Sequence, residues 1–544
     1  MKRILLLVVL CSPAVVVCQQ NAVLKKSLDS VFLRNKAAGI PGCACAVVQK
    51  GEVIYKNAFG RADIKQQVPI TTGTIMGIGS VSKHFTAYAL LLLQQQGKLS
   101  LNDPVTRYVP LPFLHDTIRI YHLLTHTAGF HESNSLFDIL YGDPERMRSM
   151  GVIDTFVRNH RLLEFTPGTR YSYNNSGYSL AAFIVEKVSG ESFPQFMRNH
   201  VFQPLHMNNS QVITDHTIDV PGLAAPYKMK ASGDFIIDSL KHNFYGFTGV
   251  FTTVSDLIKW DAWLTSLEEK DNSLYRELTM PRYLKNGKPL YYGYGLQVVN
   301  YHGYKVIAHS GRDNGYTAYY VRFPEPELSL IAICNNRQGI PWDMCYAMAN
   351  KILPAKNNAA RVNASAATTP VAKQTINPEQ YTGLFWSPQK KFERDAVIKT
   401  EARGDDLFMI SGGRSRQMQP LERGQFKPVN TGEVWKYNQG NFIVSADNDT
   451  TAVYYPVQPY RGEASLPLLE GSYRSDELGI TVTIQQEGQQ LILHHPNMGK
   501  LQLLPLFHKG FTSKFGILVW DTVNNDRFRL LYEDITRLYF YRVE

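Results

Sequence analysis

Ser80 and Lys83 stand three residues apart at the start of a predicted helix, with Ser80 in its first turn. This spacing places a hydroxyl and an amine on one helical face. A serine hydroxyl is a weak nucleophile at neutral pH, and an amine whose pKa is lowered by burial or nearby positive charge can take its proton. Free backbone N–H groups of the first turn also suit an oxyanion beside Ser80. The pair indicates nucleophilic catalysis, although an N-cap serine beside a solvated lysine explains the same four residues.

A second pair, Tyr173 and Asn175, lies at the start of a predicted amphipathic helix. A tyrosine hydroxyl near Lys83 can shuttle a proton between Ser80 and a leaving group. The asparagine amide can hydrogen-bond both the lysine and a substrate. Taken alone, a tyrosine-rich segment is more often packing than catalysis.

A third element is formed by His309, Ser310 and Gly311, which end a predicted strand just before Arg312. A strand edge can pair with an extended substrate and leave the backbone N–H of Arg312 facing the oxyanion. The alternative is a strand that only leads into a turn.

One α+β unit is predicted to position these residues. The predicted strands are 42–48, 53–60, 306–308, 317–323 and 328–334, and the predicted helices are 24–36, 80–96, 118–127, much of 151–206, and 342–352. Strands at both ends with helices between them indicate a sheet that joins the two ends of the unit.

The chain of 544 residues is too long for one ordinary hydrophobic core, so two or three domains are expected. Its formal net charge is +10, but the sequence has no run of five consecutive Lys and Arg residues. Because basic and acidic residues are interspersed, nucleic-acid binding is not expected.

The first residues predict export. Met1–Arg3 is a positive region, Ile4–Val17 is apolar, and Cys18 is a small residue at the expected cleavage point, as in a secretory signal peptide covering 1–18. A lipoprotein anchored at Cys18 is the alternative, which the bulky Val17 disfavours. No later apolar run reaches the ~20 residues needed to span a bilayer. A periplasmic or secreted protein is therefore predicted.

Four cysteines remain after the signal peptide is removed: Cys43, Cys45, Cys334 and Cys345. Four in such a long chain do not form a disulfide framework, and buried thiols are the default. A bridge from Cys43 or Cys45 to Cys334 stays open as an alternative.

A metal site is not predicted. His122 and His126 have a four-residue spacing, but they lack the glutamate of a zinc-peptidase motif and an evident third ligand.

The composition changes at Ala355, where a stretch poor in large apolar residues predicts a linker over 355–376. Strand-like alternation follows, and the region repeats itself: 377–462 resembles 463–544, with Gly404–Leu407 matching Gly488–Leu491. Two such copies indicate paired antiparallel barrels or two halves of one barrel.

Together, the three catalytic elements resemble the motif set of the serine β-lactamase and penicillin-binding-protein superfamily, in the class C branch with its D,D-peptidases, D-aminopeptidases and esterases. Further segments are similar to landmarks of that family: Gly97–Leu101, His122–Gly129, Phe165–Gly168, Gly249–Leu257 and Tyr292–Gly295. The resemblance covers residues 24–353.

The resemblance implies a two-lobed α+β fold, with an antiparallel sheet flanked by helices, a helical lobe, and Ser80 in the cleft between them. It implies an acyl-enzyme on Ser80 and no cofactor. Lys83 and Tyr173 share the acid–base work, and which takes the first proton is disputed. The implied substrate-binding residues are Asn175, His309, Ser310 and Gly311, and the implied oxyanion hole is the backbone N–H groups of Ser80 and Arg312. The barrels resemble, more loosely, accessory domains that restrict access to the cleft in D-aminopeptidase-type relatives.

One departure bears on the substrate. Class C β-lactamases usually have Lys-Thr-Gly as the third motif, whereas this chain has His309, which lacks the fixed charge that attracts a β-lactam carboxylate. The expected activity is therefore hydrolysis of an amide or ester in a small molecule or short peptide, including peptidoglycan-derived fragments. A true β-lactamase, a carboxylesterase and a penicillin-binding sensor remain alternatives, and the oligomeric state stays open.

Overall fold

A computed structural model gives the fold of this protein. It describes residues 23–31, 39–113, 117–143, 146–354, 377–387, 396–411, 414–421, 424–428, 433–446, 449–460, 466, 468–520, 525–533 and 535–543. The predicted signal peptide (1–18) and linker (355–376) lie outside the described residues. No helix in the described part of the chain is long and apolar enough to cross a membrane.

A six-stranded antiparallel sheet forms the centre of the N-terminal domain. Its spatial order is Gln297–Tyr301, Tyr304–Asp313, Tyr316–Phe323, Leu328–Cys334, Cys43–Gln49 and Glu52–Phe59. The strand Cys43–Gln49 pairs with Leu328–Cys334, so the sheet joins the two ends of the domain as predicted. Alternate residues belong to two hydrophobic clusters, one on each face, because helices cover both sides of the sheet.

The same strand pairing places Cys43 opposite Cys334, and the two form a disulfide bond. Cys45 and Cys345 are buried free thiols. Of the alternatives left open by the sequence, the structure therefore has the bridge from Cys43, across 291 residues of chain.

The helix that follows Ser80 is the central helix of the domain. A 3₁₀ turn over Gly79–Val81 precedes the α-helix Ser82–Gln95, and Gly97 ends it with a positive φ of 70°. Eleven of the fourteen helical residues are buried, so the helix is enclosed on nearly all sides rather than facing solvent. Its first turn is thereby fixed from several directions.

The helix predicted over 118–127 is shorter in the structure, where it covers Ile120–Leu124. It ends early because His126 adopts a positive φ of 58°, which no α-helix can continue. The carbonyl of His126 accepts a hydrogen bond from the backbone N–H of Ser172 at 2.9 Å, and its Nδ1 accepts one from that of Asn174 at 3.0 Å. This turn holds the segment that carries Tyr173 and Asn175.

The other helices of the domain form the helical lobe and cover the sheet. They are residues 23–29, Ser133–Tyr141, Met150–Asn159, Asn175–Ser189, Phe193–Met197, Val254–Glu269, Ser273–Thr279 and Pro341–Ile352, with a 3₁₀ turn at Val105–Arg107 and a π-helical turn at Arg198–Phe202. The shorter strands are Arg61–Asp63, Val68–Pro69, Met76–Gly77, Gln211–Val212, Tyr227–Met229, Phe235–Ile237, Val250–Thr252, Arg282–Tyr283 and Pro289–Leu290.

Each copy of the C-terminal repeat closes on itself as an eight-stranded antiparallel barrel. Barrel 1 consists of Gly383–Trp386, Val397–Arg403, Asp406–Ser411, Arg414–Pro420, Gln425–Pro428, Val434–Asn438, Asn441–Ala446 and Asp449–Pro456, after a 3₁₀ turn at Pro378–Tyr381. Barrel 2 consists of Gly471–Ser475, Ile480–Glu487, Gln490–His495, Gly499–Phe507, Gly510–Ser513, Gly516–Trp520, Arg527–Tyr532 and Ile535–Val543. Of the two arrangements left open by the sequence, the structure has the paired barrels.

Barrel 2 shares a hydrophobic cluster with the helical lobe. Leu136 and Phe137 from the helix Ser133–Tyr141 pack in the same buried group as Leu478 and Tyr473 of barrel 2. Apolar side chains that would face solvent in an isolated N-terminal domain are therefore covered by the barrel.

A polar contact accompanies this apolar one. His131 is buried between two carboxylates, with its Nδ1 2.7 Å from Glu164 and its Nε2 3.2 Å from Glu477 of barrel 2. Glu477 also accepts hydrogen bonds from the backbone N–H groups of Arg161 and Leu162, at 2.6 and 3.1 Å. The N-terminal domain and barrel 2 are thus joined by polar contacts at His131, which is the residue directly before Glu132.

Candidate active site

Ser80 lies in the 3₁₀ turn, pressed against the strand Tyr304–Asp313. Glycine is needed on both sides of this approach: a Cβ on Gly79 would lie 2.6 Å from the backbone nitrogen of Arg312, and one on Gly311 would lie 1.8 Å from the carbonyl oxygen of Ile78. The turn that carries Ser80 therefore packs directly against the backbone of Arg312.

Lys83 is fully buried and points at Ser80. Its Nζ lies 2.9 Å from Oγ of Ser80, 2.8 Å from Oδ1 of Asn175 and 3.1 Å from the carbonyl oxygen of Phe247. Burial lowers the pKa of Lys83 to about 7, although nearby carboxylates oppose this shift. An amine with that pKa is partly unprotonated at neutral pH and can accept the proton of Ser80.

Tyr173 covers the same lysine, with its ring centre 4.8 Å from Nζ of Lys83. Burial raises the pKa of its phenol, and a hydrogen bond with Ser80 opposes that rise without cancelling it. Tyr173 therefore keeps its proton at neutral pH. It is suited to give a proton to a leaving group, whereas Lys83 is the better first acceptor.

Asn175 begins the helix Asn175–Ser189. The preceding residue, Asn174, caps this helix by accepting a hydrogen bond at its side chain from the backbone N–H of Gly177 at 3.0 Å. The cap fixes the first turn, so that the Asn175 side chain reaches Lys83. The sequence-predicted residues Ser80, Lys83, Tyr173 and Asn175 thus meet at one place.

His309, Ser310 and Gly311 lie within a strand, not at its end, because pairing with Tyr316–Phe323 continues through Asp313. On the other side, the strand Gln297–Tyr301 pairs only as far as Ala308. Residues 309–313 therefore present an edge that this strand leaves unpaired. An extended substrate can hydrogen-bond there.

His309 is buried and neutral. Its Nδ1 lies 2.6 Å from the carbonyl oxygen of Ser310, which can only accept, so Nδ1 carries the hydrogen. Its Nε2 then accepts a hydrogen bond from the hydroxyl of Tyr292 at 2.8 Å. Burial and the charge of Lys83 lower the pKa of His309 to about 3. The site therefore has no fixed cation where class C β-lactamases usually have lysine.

Two residues of the site were not identified as functional from the sequence. Tyr292 belongs to the family landmark Tyr292–Gly295, which implies no role for it, and Glu132, which contacts Asn175, lies in none of the motifs. A lone glutamate gives no sequence signal, because its contact comes from a residue 43 positions away. Of the two histidines at four-residue spacing, His122 accepts a hydrogen bond at Nδ1 from the backbone N–H of Arg119, and the ring centre of His126 lies 4.2 Å from that of Tyr173.

The contact of Ser80 with the buried Lys83, the neighbouring tyrosine and the open strand edge define an active-site serine hydrolase with a sheet and a helical lobe. Residues 28–343 match the family model described as Beta-lactamase. The chain belongs to the β-lactamase family.

The similar proteins of known description include peptidases. The chain is 26% identical to the D-aminopeptidase of Brucella canis over 479 residues, which cover 86% of each chain. It is 27% identical to Penicillin-binding protein 4* of Bacillus subtilis over 313 residues, which cover 55% of this chain and 69% of that protein. The first match extends beyond the N-terminal domain into the barrels.

Solved structures share the fold. An octameric penicillin-binding protein homologue from Pyrococcus abyssi aligns with 88% of this chain and 99% of its own, at 21% identity and a TM-score of 0.53. The D-amino acid amidase of Ochrobactrum anthropi SV3 aligns with 61% of this chain and 99% of its own, at 22% identity and a TM-score of 0.51. The predicted α+β fold with all-β barrels is confirmed.

Proposed function

We propose that this protein is an exported serine hydrolase that cleaves an amide or ester next to a D-amino acid, through an acyl-enzyme on Ser80. The observation that carries the proposal is the 2.9 Å contact between Nζ of the buried Lys83 and Oγ of Ser80. Burial holds the pKa of Lys83 at about 7, which makes it a base at neutral pH.

The proposed reaction begins when unprotonated Lys83 takes the proton of Ser80 and Oγ attacks the substrate carbonyl. The backbone N–H groups of Ser80 and Arg312 stabilise the oxyanion. As the tetrahedral intermediate collapses, Tyr173 gives its proton to the leaving nitrogen or oxygen and recovers one from Lys83. Water then attacks the ester on Ser80 and gives a proton to Lys83, which passes it to Oγ of Ser80 as the acid product leaves.

The substrate is proposed to lie extended along residues 309–313, with its backbone paired to the open strand edge. Neutral His309 gives no ammonium for a substrate carboxylate, which favours peptides and amides over carboxylate-bearing β-lactams. A cavity of about 600 Å³ next to the site, lined partly by Tyr171, Tyr291 and Tyr292, offers aromatic surface to a substrate side chain. The similarity to a D-aminopeptidase over 86% of the chain supports a D-configured residue.

Export is supported by two features. Residues 1–18 have the pattern of a secretory signal peptide. The bond between Cys43 and Cys334 is of a kind that persists in oxidising compartments outside the cytoplasm.

The test compares the purified protein with Ser80→Ala on D-alanine p-nitroanilide, its L-enantiomer, p-nitrophenyl butyrate and nitrocefin. We expect hydrolysis of the D-anilide above the L-anilide, and loss of all activity in the variant. Stable labelling by a fluorescent penicillin without turnover of any substrate would instead indicate a sensor. Equal activity in Ser80→Ala would refute the acyl-enzyme.

A further inference from the structure

Glu132 is buried beside the proposed catalytic residues. Its Oε1 accepts a hydrogen bond from Nδ2 of Asn175 at 3.0 Å, and its Oε2 accepts one from the backbone N–H of Asn175 at 2.6 Å. At the other end of the same amide, Oδ1 of Asn175 accepts a hydrogen bond from Nζ of Lys83 at 2.8 Å. A continuous series of hydrogen bonds therefore links Glu132 to Ser80 through Asn175 and Lys83.

The carboxylate of Glu132 decides which way the Asn175 amide is turned. A carboxylate only accepts hydrogen bonds, so it binds the NH₂ group and leaves the amide oxygen for Lys83. In the opposite orientation, the amide oxygen would face a carboxylate and the NH₂ group would face the lysine ammonium. Both of those contacts are repulsive.

We propose that Glu132 is a positioning residue, which holds the Asn175 amide oxygen toward Lys83 and thereby keeps Nζ of Lys83 aligned on Oγ of Ser80. This inference rests on the proposed function, because it concerns the alignment of the base that serves Ser80.

The segment around Glu132 is fastened to the same helix by contacts that do not use its carboxylate. The hydroxyl of Ser176 donates to the carbonyl oxygen of His131 at 2.8 Å and accepts from the backbone N–H of Ser133 at 2.9 Å. These bonds remain when the carboxylate is replaced by an amide. Glutamine at position 132 therefore changes the hydrogen-bond polarity while the local backbone stays anchored.

Glu132 also acts on Lys83 through its charge. Burial lowers the pKa of Lys83, and the charges of Glu132 and Asp313 oppose that shift by favouring the ammonium. The other titratable groups around the lysine are held neutral mainly by burial: Tyr173, Tyr178, His126 and His309. Removing the charge of Glu132 should therefore lower the pKa of Lys83 further.

The experiment measures the rate at which a fluorophosphonate probe labels Ser80, as a function of pH. In Glu132→Gln the single amide oxygen is needed by the backbone N–H of Asn175, which cannot turn, so the NH₂ group of the glutamine faces that of the Asn175 side chain. We expect the labelling rate to fall about 100-fold, as misplacement by about 1 Å can do. The acidic limb of the pH profile of labelling should move to lower pH, because the pKa of Lys83 falls. Glu132→Gln combined with Asn175→Asp exchanges the amide and the carboxylate, which should restore the rate at least tenfold and move the limb back up.

Glu186→Gln is the matched control, because Glu186 is a half-buried carboxylate on the same helix, away from Ser80. Its rate and pH profile should equal those of the wild type. A folded Glu132→Gln protein with an unchanged pH profile, or a double variant without recovery, would overturn the proposal.

If Glu132→Gln does not fold, Asn175→Asp alone is compared with the double variant. Two facing carboxylates should make the single variant slower, and an equal or faster rate would overturn the proposal. The proposed function fails separately, if the probe labels Ser80→Ala as fast as the wild type.

Discussion

Replacing Glu477 by glutamine tests how firmly barrel 2 is held on the N-terminal domain. The amide keeps an acceptor for the backbone N–H groups of Arg161 and Leu162 but removes the charge beside His131. Its NH₂ group would face Nε2 of His131, so His131 must give up a proton in order to accept. The ion pair between the domains is thereby lost.

The magnitude follows from the pKa of His131. Burial alone would lower it, but hydrogen bonds and charges from Glu164 and Glu477 raise it from 6.5 to about 9. At 1.36 kcal/mol per pKa unit, this rise corresponds to about 3 kcal/mol of stability. If the two carboxylates share it evenly, Glu477 contributes about 1–2 kcal/mol. Because the folded-state pKa is raised, the contribution is complete below pH 6.5 and is lost as the pH rises through about 9.

The assay is urea unfolding of the full chain at pH 6.5 and 9.5, followed by tryptophan fluorescence. We expect Glu477→Gln to lower the free energy of unfolding by about 1–2 kcal/mol at pH 6.5 and by much less at pH 9.5. Glu470→Gln is the control, because the half-buried Glu470, directly before the first strand of barrel 2, accepts a hydrogen bond from the backbone N–H of Gln486 and the amide keeps that acceptor; it should give no pH-dependent difference. An equal loss at both pH values would refute the charged contact with His131.

Two further predictions concern the sheet and the leaving group. Cys43→Ser combined with Cys334→Ser should lower the free energy of unfolding by about 2–5 kcal/mol, because the disulfide bond closes a very long loop in the unfolded chain. Urea unfolding measures this loss, and an unchanged unfolding midpoint would contradict it. Tyr173→Phe should slow hydrolysis of D-alanine p-nitroanilide about 100-fold or more, and that of p-nitrophenyl butyrate much less. The reason is that an amine leaving group needs a proton, whereas p-nitrophenolate does not. Equal losses in kcat/KM for the two substrates would contradict the assignment of Tyr173 as the proton donor.

The parts of the site that are close in sequence could be predicted from it. Ser80 and Lys83 share a helical face by spacing alone, and Asn175 begins a helix because a capping residue precedes it. The structure adds the features that depend on pairing between strands far apart in the sequence. His309 lies inside a strand because pairing with Tyr316–Phe323 continues beyond it, and only the neighbour Gln297–Tyr301 ends early.

Contacts between distant segments could not be read from local patterns. The roles of Glu132 and Glu477 depend on partners 43 and more than 300 positions away, and neither residue sits in a motif. The repeat in the C-terminal region could be recognised by matching residues, but barrel closure depends on pairing between the first and last strands of each copy. Local alternation is the same in one barrel or two.

The most direct test of the proposed mechanism is the pH dependence of Ser80 labelling in the wild type and in Lys83→Met. We expect the wild-type rate to rise with an apparent pKa of about 7, because Lys83 acts in its unprotonated form. In Lys83→Met we expect the rate to fall by about 10²–10⁴-fold and this limb to disappear. A wild-type limb near pH 10, or an unchanged rate in Lys83→Met, would contradict the assignment of Lys83 as the base that activates Ser80.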